Sequence, residues 1–204
     1  MEEQNLNALH RYTKALIVAL GHRDLLTRLH ADRVQRLAEE MGLRCGLTKN
    51  EIYTLRIAAS FHDIGKIGIP DRVLLKPAKL DAEERKIIEQ HSEIGEKIML
   101  STELDGSQQV ALLIRHHHEH YNGMGYPDGL SGESIPICNR IISIADSYDA
   151  MAMTRTYHTA RTHQEIMTIL EEETGEKHDP EIMHIFCDFI ETSQFRAVKT
   201  NEKK

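Results

Sequence analysis

Between His116 and Gly129 the chain reads HHHEHYNGMGYPDG, with four imidazoles and a carboxylate in the first five positions. Imidazole and carboxylate are donors for first-row transition ions. Adjacent residues on a helix point about 100° apart. Neighbouring histidines therefore cannot close on one ion from one helix end without distortion, but they can bracket two. His62–Asp63 is a second doublet of this kind, and the two oxygens of Asp63 could bridge a pair of ions. Doubled donors at two helix ends point to a dinuclear centre with ions about 3.5–4 Å apart. Single donors are available at His30, His91 and Asp146. Imidazole and carboxylate without thiolate favour Fe, Mn, Zn, Co or Ni over Mg or Ca. Cys45, Cys138 and Cys187 form no CxxC pair, which argues against a structural zinc site.

Helices must position these donors. TKNE at 48–51 and THQE at 162–165 are capping boxes, DAEE at 81–84 is a similar start, and DPE at 179–181 puts proline at a first helical position. Gly42 and Gly175 each follow a helical run and suit a left-handed stop. Ile52, Leu55, Ala59 and His62 form one stripe, and Val110, Leu113, Ile114 and His117 another, at three- and four-residue steps. No segment alternates like a strand. The reading is all-α, a compact bundle of about seven to nine helices around a metal centre. Irregular chain is expected at 64–80 and 121–138, a leading helix at 1–20, the working domain at 21–195 and a polar tail at 196–204.

The chain has 204 residues, 40% hydrophobic and 28% charged, enough for one domain with a real core. Its net charge of −7 excludes a general nucleic-acid coat, so DNA is not an expected partner. An anionic substrate must meet local positive charge. No apolar run is long enough to span a bilayer, and an odd cysteine count without a framework fits a reduced, cytoplasmic setting. Thirteen His against four Phe and no Trp again points to metal.

HDIGK at 62–66 followed by HHEHYNGMGYP at 117–127 resembles the signature of HD-GYP domains, a branch of the HD phosphohydrolase superfamily. HADRV at 30–34, IGIPDRVLLKPAKL at 67–80, HSEIG at 91–95, RIISIADSYDAM at 140–151 and RTY at 155–157 extend it in order over residues 20–190. The resemblance implies metal-dependent hydrolysis of cyclic di-GMP to pGpG, and leaves open whether GMP follows. It implies His30, His62, Asp63, His91, His117, His118 and Asp146 as ligands of two divalent ions, Fe or Mn first. Some members supply a carboxylate four residues before the first ligand His. Leu26 stands there, so a third site is expected to be weak or missing.

A hydroxide bridging the ions would attack phosphorus. Asp63 would orient it, and Lys66, one turn beyond His62, would hold phosphate. Gly123 and Gly125 permit the bends of the loop that presents Tyr126 to substrate or to a partner domain, and Pro127 stiffens its exit. Arg155 matches the family's arginine near the substrate phosphate. His158 stands where a Lys is frequent, and Asn122 where Asp is usual. Glu119 and Asp149 are read as groups orienting the donors. His116 is read as exposed or supporting, and His120 as surface or supporting. His10, His22, His163, His178 and His184 are read as structural, and Glu171–Glu173 as a solvated helix face.

Other readings remain open: a hydrolase of another cyclic dinucleotide such as cyclic GMP–AMP, a nucleotide receptor with structural metals, and an oxygen-activating di-iron protein. A diguanylate cyclase domain at the GYP loop and a second copy of the chain are further candidate partners.

Overall fold

The computed structural model describes residues 25–153 and 160–197, with positions 9, 14, 16 and 18–22 of the leading segment, which are helical. Beyond that segment the described residues form nine α-helices. These are α1 Leu25–Arg44, α2 Lys49–Phe61, α3 Asp71–Leu74, α4 Ala82–Glu89, α5 His91–Leu100, α6 Ser107–Arg115, α7 Ile137–Ala152, α8 His163–Glu172 and α9 Pro180–Ile190. Short 3-10 turns lie at Ile64–Gly68 and Gly132–Ser134. The only pairing of strand type among the described residues is one isolated bridge, Thr174 to His178. None of their helices is long and apolar enough to cross a membrane.

The four helix starts read from sequence are all present. At Thr48, Asp81 and Thr162 the side chain accepts from a backbone amide of the first turn, while Glu51, Glu84 and Glu165 reach back to the cap amide. Asp179 caps α9 directly before Pro180. Each such cap stabilises its helix by about 1 kcal/mol.

Gly42 does not stop α1. The helix runs through it to Arg44, and the left-handed turn falls at Gly46, where φ is 74°. Packing explains the misplacement: a Cβ at Gly42 would lie 2.8 Å from both Ile52 and Leu55, so this glycine lets α1 and α2 approach each other. Gly175, with φ of 83°, does make the turn that follows α8.

The buried stripes meet in one core. Leu37 and Met41 of α1, Leu55 and Phe61 of α2, Ile114 of α6, Ile141 and Ile144 of α7 and Phe186 of α9 are all buried within it. Burying a side chain of this size is worth roughly 1.5–3 kcal/mol. The stripe of α2 ends on His62, and that of α6 points to His117, so the core delivers both doublets to one place.

The segment at 64–80 is more regular than its glycines and prolines imply. Its first five residues form the 3-10 turn, which lies against the start of α5. A Cβ at Gly65 would sit 1.9 Å from the carbonyl oxygen of His91 and 2.6 Å from the amide nitrogen of Gly95. Backbone cannot yield as a side chain can. Gly65→Ala should cost about 3 kcal/mol, the upper end for overpacking. An unchanged thermal melting curve would contradict this contact.

Candidate metal centre

All seven donors read from sequence come together, from five directions. His30 comes from α1, His62 and Asp63 follow α2, His91 opens α5, His117 and His118 follow α6, and Asp146 lies in α7. One group consists of His30, His62 and Asp63, the other of His91, His117 and His118, each with donor atoms within 4.8 Å of one another. Asp63 lies between them: Oδ2 is 3.5 Å from His62 Nε2, and Oδ1 is 3.5 Å from His91 Nε2. Asp146 Oδ1 lies 2.9 Å from His30 Nε2 and 3.9 Å from His62 Nε2.

Three of these rings are fixed in the same way. His62 Nδ1 donates to Ala59 O at 2.7 Å, His91 Nδ1 to Ile88 O at 2.6 Å, and His117 Nδ1 to Ile114 O at 2.6 Å. Each acceptor is a carbonyl in the last turn of a helix, where no intrahelical donor remains. A carbonyl can only accept, so Nδ1 carries the proton and Nε2 presents a lone pair to the centre. The His30 ring is braced by a side chain instead, with Nδ1 2.7 Å from Asp149 Oδ2. Asp149 is in turn held by Arg33, Nε to Oδ1 at 2.7 Å and Nη2 to Oδ2 at 2.9 Å.

The donors fit a metal ion on the evidence of their own geometry. His62 Nε2 is buried and makes no hydrogen bond. His91 Nε2 and His117 Nε2 face each other at 3.2 Å, two lone pairs that need a proton or a cation between them. Burial, together with repulsion from other imidazoles, holds His117 down to about 3 and His118 below its usual range. Burial is the main cause that brings His91 to about 4. Burial pushes the Asp63 and Asp146 carboxyls up, but their cationic and imidazole neighbours outweigh it and hold both well below the ordinary carboxylate range. Neutral imidazoles beside ionised carboxylates are the protonation states a ligand set requires. At His30, burial opposes charge, yet its bonds to Asp146 and Asp149 carry it up to about 9. A metal cation at Nε2 would replace that second proton.

Lys66 reaches the same pocket, with Nζ 2.7 Å from Asp63 Oδ2. The Tyr126 ring lies tilted over that of His118, centroids 4.9 Å apart. Glu119 differs from the sequence reading. It orients no donor, and instead its two oxygens accept from the amides of Asp128 and Leu130, because the chain folds back over it. Gly123 is left-handed, with φ of 82°. Gly125 serves close approach, since a Cβ there would lie 2.3 Å from His120 N. Arg155, His158 and the Leu26 side chain lie outside the described residues.

The remaining histidines divide by burial. His22 and His184 are exposed, His120 is half-buried, and His10 lies outside the described residues. His163 bonds Tyr148 and Glu191, and His178 bonds Ser143. Glu173 departs from the solvated run because its carboxylate lies 3.2 Å from the buried His178. Sequence reasoning missed Arg33, although it stands three residues after His30, just as Asp149 stands three after Asp146. Such spacing puts pairs on one helix face and was the available signal.

Removing the acceptor behind a metal-binding imidazole typically costs 10–100-fold in affinity. Asp149→Ala should therefore weaken uptake of one ion by about tenfold or more in a chelator competition titration. Wild-type affinity would mean that Asp149 does not set the state of His30.

The HD domain family profile matches residues 14–182. The chain is 37% identical over 180 residues to the cyclic di-GMP phosphodiesterase response regulator RpfG of Xanthomonas campestris, covering 88% of this chain and 47% of that protein. It is 33% identical over 205 residues to the 3'3'-cGAMP-specific phosphodiesterase 2 of Vibrio cholerae, covering 97% of this chain and 39% of that protein. The chain thus spans less than half the length of these relatives. A solved HDG"Y"P protein from Bdellovibrio bacteriovorus shares the fold, with a TM-score of 0.65 at 20% identity over 91% of this chain and 60% of that one. The chain belongs to the HD domain family, with the HD-GYP form of its signature at 62–66 and 117–127.

Proposed function

We propose that this chain is a metal-dependent phosphodiesterase that hydrolyses cyclic di-GMP to pGpG. The observation that carries the reading is the meeting of two three-donor groups at the two oxygens of Asp63. Relatives 33–37% identical to this chain over alignments covering at least 88% of its length are named as cyclic-dinucleotide phosphodiesterases.

His30, His62, Asp63 and Asp146 would hold one ion, and His91, His117 and His118 with Asp63 the other. Two ions are proposed rather than three, with Fe or Mn as the natural metals and Zn, Co or Ni as substitutes. When bound, such ions neutralise phosphate charge and bring the pKa of water toward about 7.

The chain's own groups do the rest. The Lys66 ammonium, poised at Asp63, would meet a nonbridging phosphate oxygen as negative charge grows there. Arg155 is proposed for a second phosphate contact. Burial, then the carboxylates of Glu89, Asp63 and Asp146, push the Tyr126 phenol above its usual range. It therefore stays protonated and can bind substrate through a hydrogen bond or its ring face. Asp63 and Asp146 remain ionised and cannot donate a proton to the leaving oxygen. The proposed partners are the cyclic dinucleotide, a diguanylate cyclase domain meeting the GYP loop near the exposed Met124, and a second copy of the chain.

A second reading is hydrolysis of 3'3'-cGAMP, favoured by the Vibrio relative that aligns over 97% of this chain. One experiment separates the two. Protein loaded anaerobically with Fe(II) or Mn(II) is given cyclic di-GMP, 3'3'-cGAMP and cyclic di-AMP in parallel, and the linear products are quantified. Turnover of cyclic di-GMP is expected, with loss on chelation and a kcat about 10²-fold lower in Lys66→Met. If no linear product forms from any of the three by protein that holds its ions, the proposal is wrong.

A further inference from the structure

Four of the imidazoles in the centre have a hydrogen-bonded Nδ1, but the His118 ring has no hydrogen bond among the described residues. It is half-buried, while His30, His62, His91 and His117 are buried. Against it lie the tilted ring of Tyr126, the ring of His117 at a centroid distance of 4.0 Å and the edge-on ring of His91 at 5.1 Å.

Tyr126 is held by the chain around it. Its amide donates to His118 O at 3.2 Å, so the backbone of Tyr126 is tied to the residue whose ring it packs on. Two residues on, the Asp128 carboxylate is gripped from the end of α6. Arg115 Nε donates to Oδ2 at 2.7 Å and Nη2 to Oδ1 at 2.8 Å. His116 Nε2 lies 2.7 Å from the same Oδ2. Arg115 is itself tied to Glu96 of α5 at 2.7 Å, and the amides of Asp128 and Leu130 are bound by Glu119.

His116, Glu119 and Asp128 lie close enough to hold an ion of their own. A bidentate guanidinium already neutralises Asp128, however, and both Glu119 oxygens are taken by amides. The group has the chemistry of a clamp. Asp128 is drawn well below the ordinary carboxylate range, chiefly by its bonds to Arg115, so the clamp is charged at neutral pH.

We propose that Asp128 is a positioning residue for the metal centre: held by Arg115 and His116, it keeps Tyr126 packed on His118 and so supplies the restraint that a carbonyl or carboxylate gives the other imidazoles. This rests on the two-ion reading of the centre. It also gives the GYP loop a task inside the domain, independent of any docking partner. The ion at His91, His117 and His118 depends on the clamp, whereas the ion at His30, His62 and Asp63 does not.

The test measures metal binding with no nucleotide present. Apo-protein is titrated with Co(II), read by visible absorption and by metal content after gel filtration, with circular dichroism as the control on folding. Asp128 lies at the surface, so its variants should fold. Asp128→Ala is expected to keep one ion at wild-type affinity and to bind the other about tenfold more weakly, with an altered Co(II) spectrum. Asp128→Asn, which keeps an oxygen for Arg115, should fall between. Tyr126→Phe retains the ring and should bind both ions, while Tyr126→Ala should match Asp128→Ala. The Tyr126→Ala/Asp128→Ala double variant should be no worse than either single one. Wild-type binding in Asp128→Ala, equal loss of both ions, additive losses in the double variant, or a wild-type chain that takes up fewer than two ions would each overturn the assignment. Wild-type protein that binds two ions and cleaves no cyclic dinucleotide would defeat the proposed function and leave the clamp standing.

Discussion

The structure depends on keeping carboxylates and imidazoles side by side in a buried space, both in their unprotonated forms. Asp63 and Asp146 are ionised while His91, His117 and His118 are neutral. Buried charge is costly unless it is matched. Lys66 offsets part of the charge on Asp63, and Arg33 does so at Asp149, behind His30. The remaining negative charge and the lone pairs aimed inward leave a strong preference for a cation. A centre of this kind cannot form on one helix. Carboxylate and imidazole have to arrive from separate elements so that each can be braced from behind by its own part of the fold.

The glycine at 65 shows how tightly the elements are fitted to that end. By letting the 3-10 turn touch the backbone of α5, it ties the Asp63–Lys66 segment to the segment that carries His91. Gly95 does the same one turn later, where a Cβ would lie 2.7 Å from Ile114 of α6. Two small residues therefore connect three of the elements that hold donors, and overpacking at either would misalign them.

Much of this was legible in the sequence because the signals were local. Capping boxes mark helix starts through contacts three residues apart, and the stripes ending at His62 and His117 predict which way the doublets point. The donor set could be read from motif order. What escaped were long-range relations. Gly42 looked like a stop because nothing in its neighbourhood reports that Ile52 and Leu55 will press against it. Glu119 looked like a partner for histidine because it stands beside one, but its acceptors meet amides nine and eleven residues ahead once the loop folds back. Arg33 bonds a residue 116 positions away, and only the matched three-residue spacing on α1 and α7 hinted at the pairing.

The bonds from His62, His91 and His117 to carbonyls at helix ends have one more consequence. A peptide oxygen belongs to every residue type, so no point substitution at Ala59, Ile88 or Ile114 deletes the acceptor. The aim of three imidazoles is thereby written into the places where helices stop. Relatives can exchange side chains through the helix bodies and still inherit the same inward-facing nitrogens, provided each helix ends where it does.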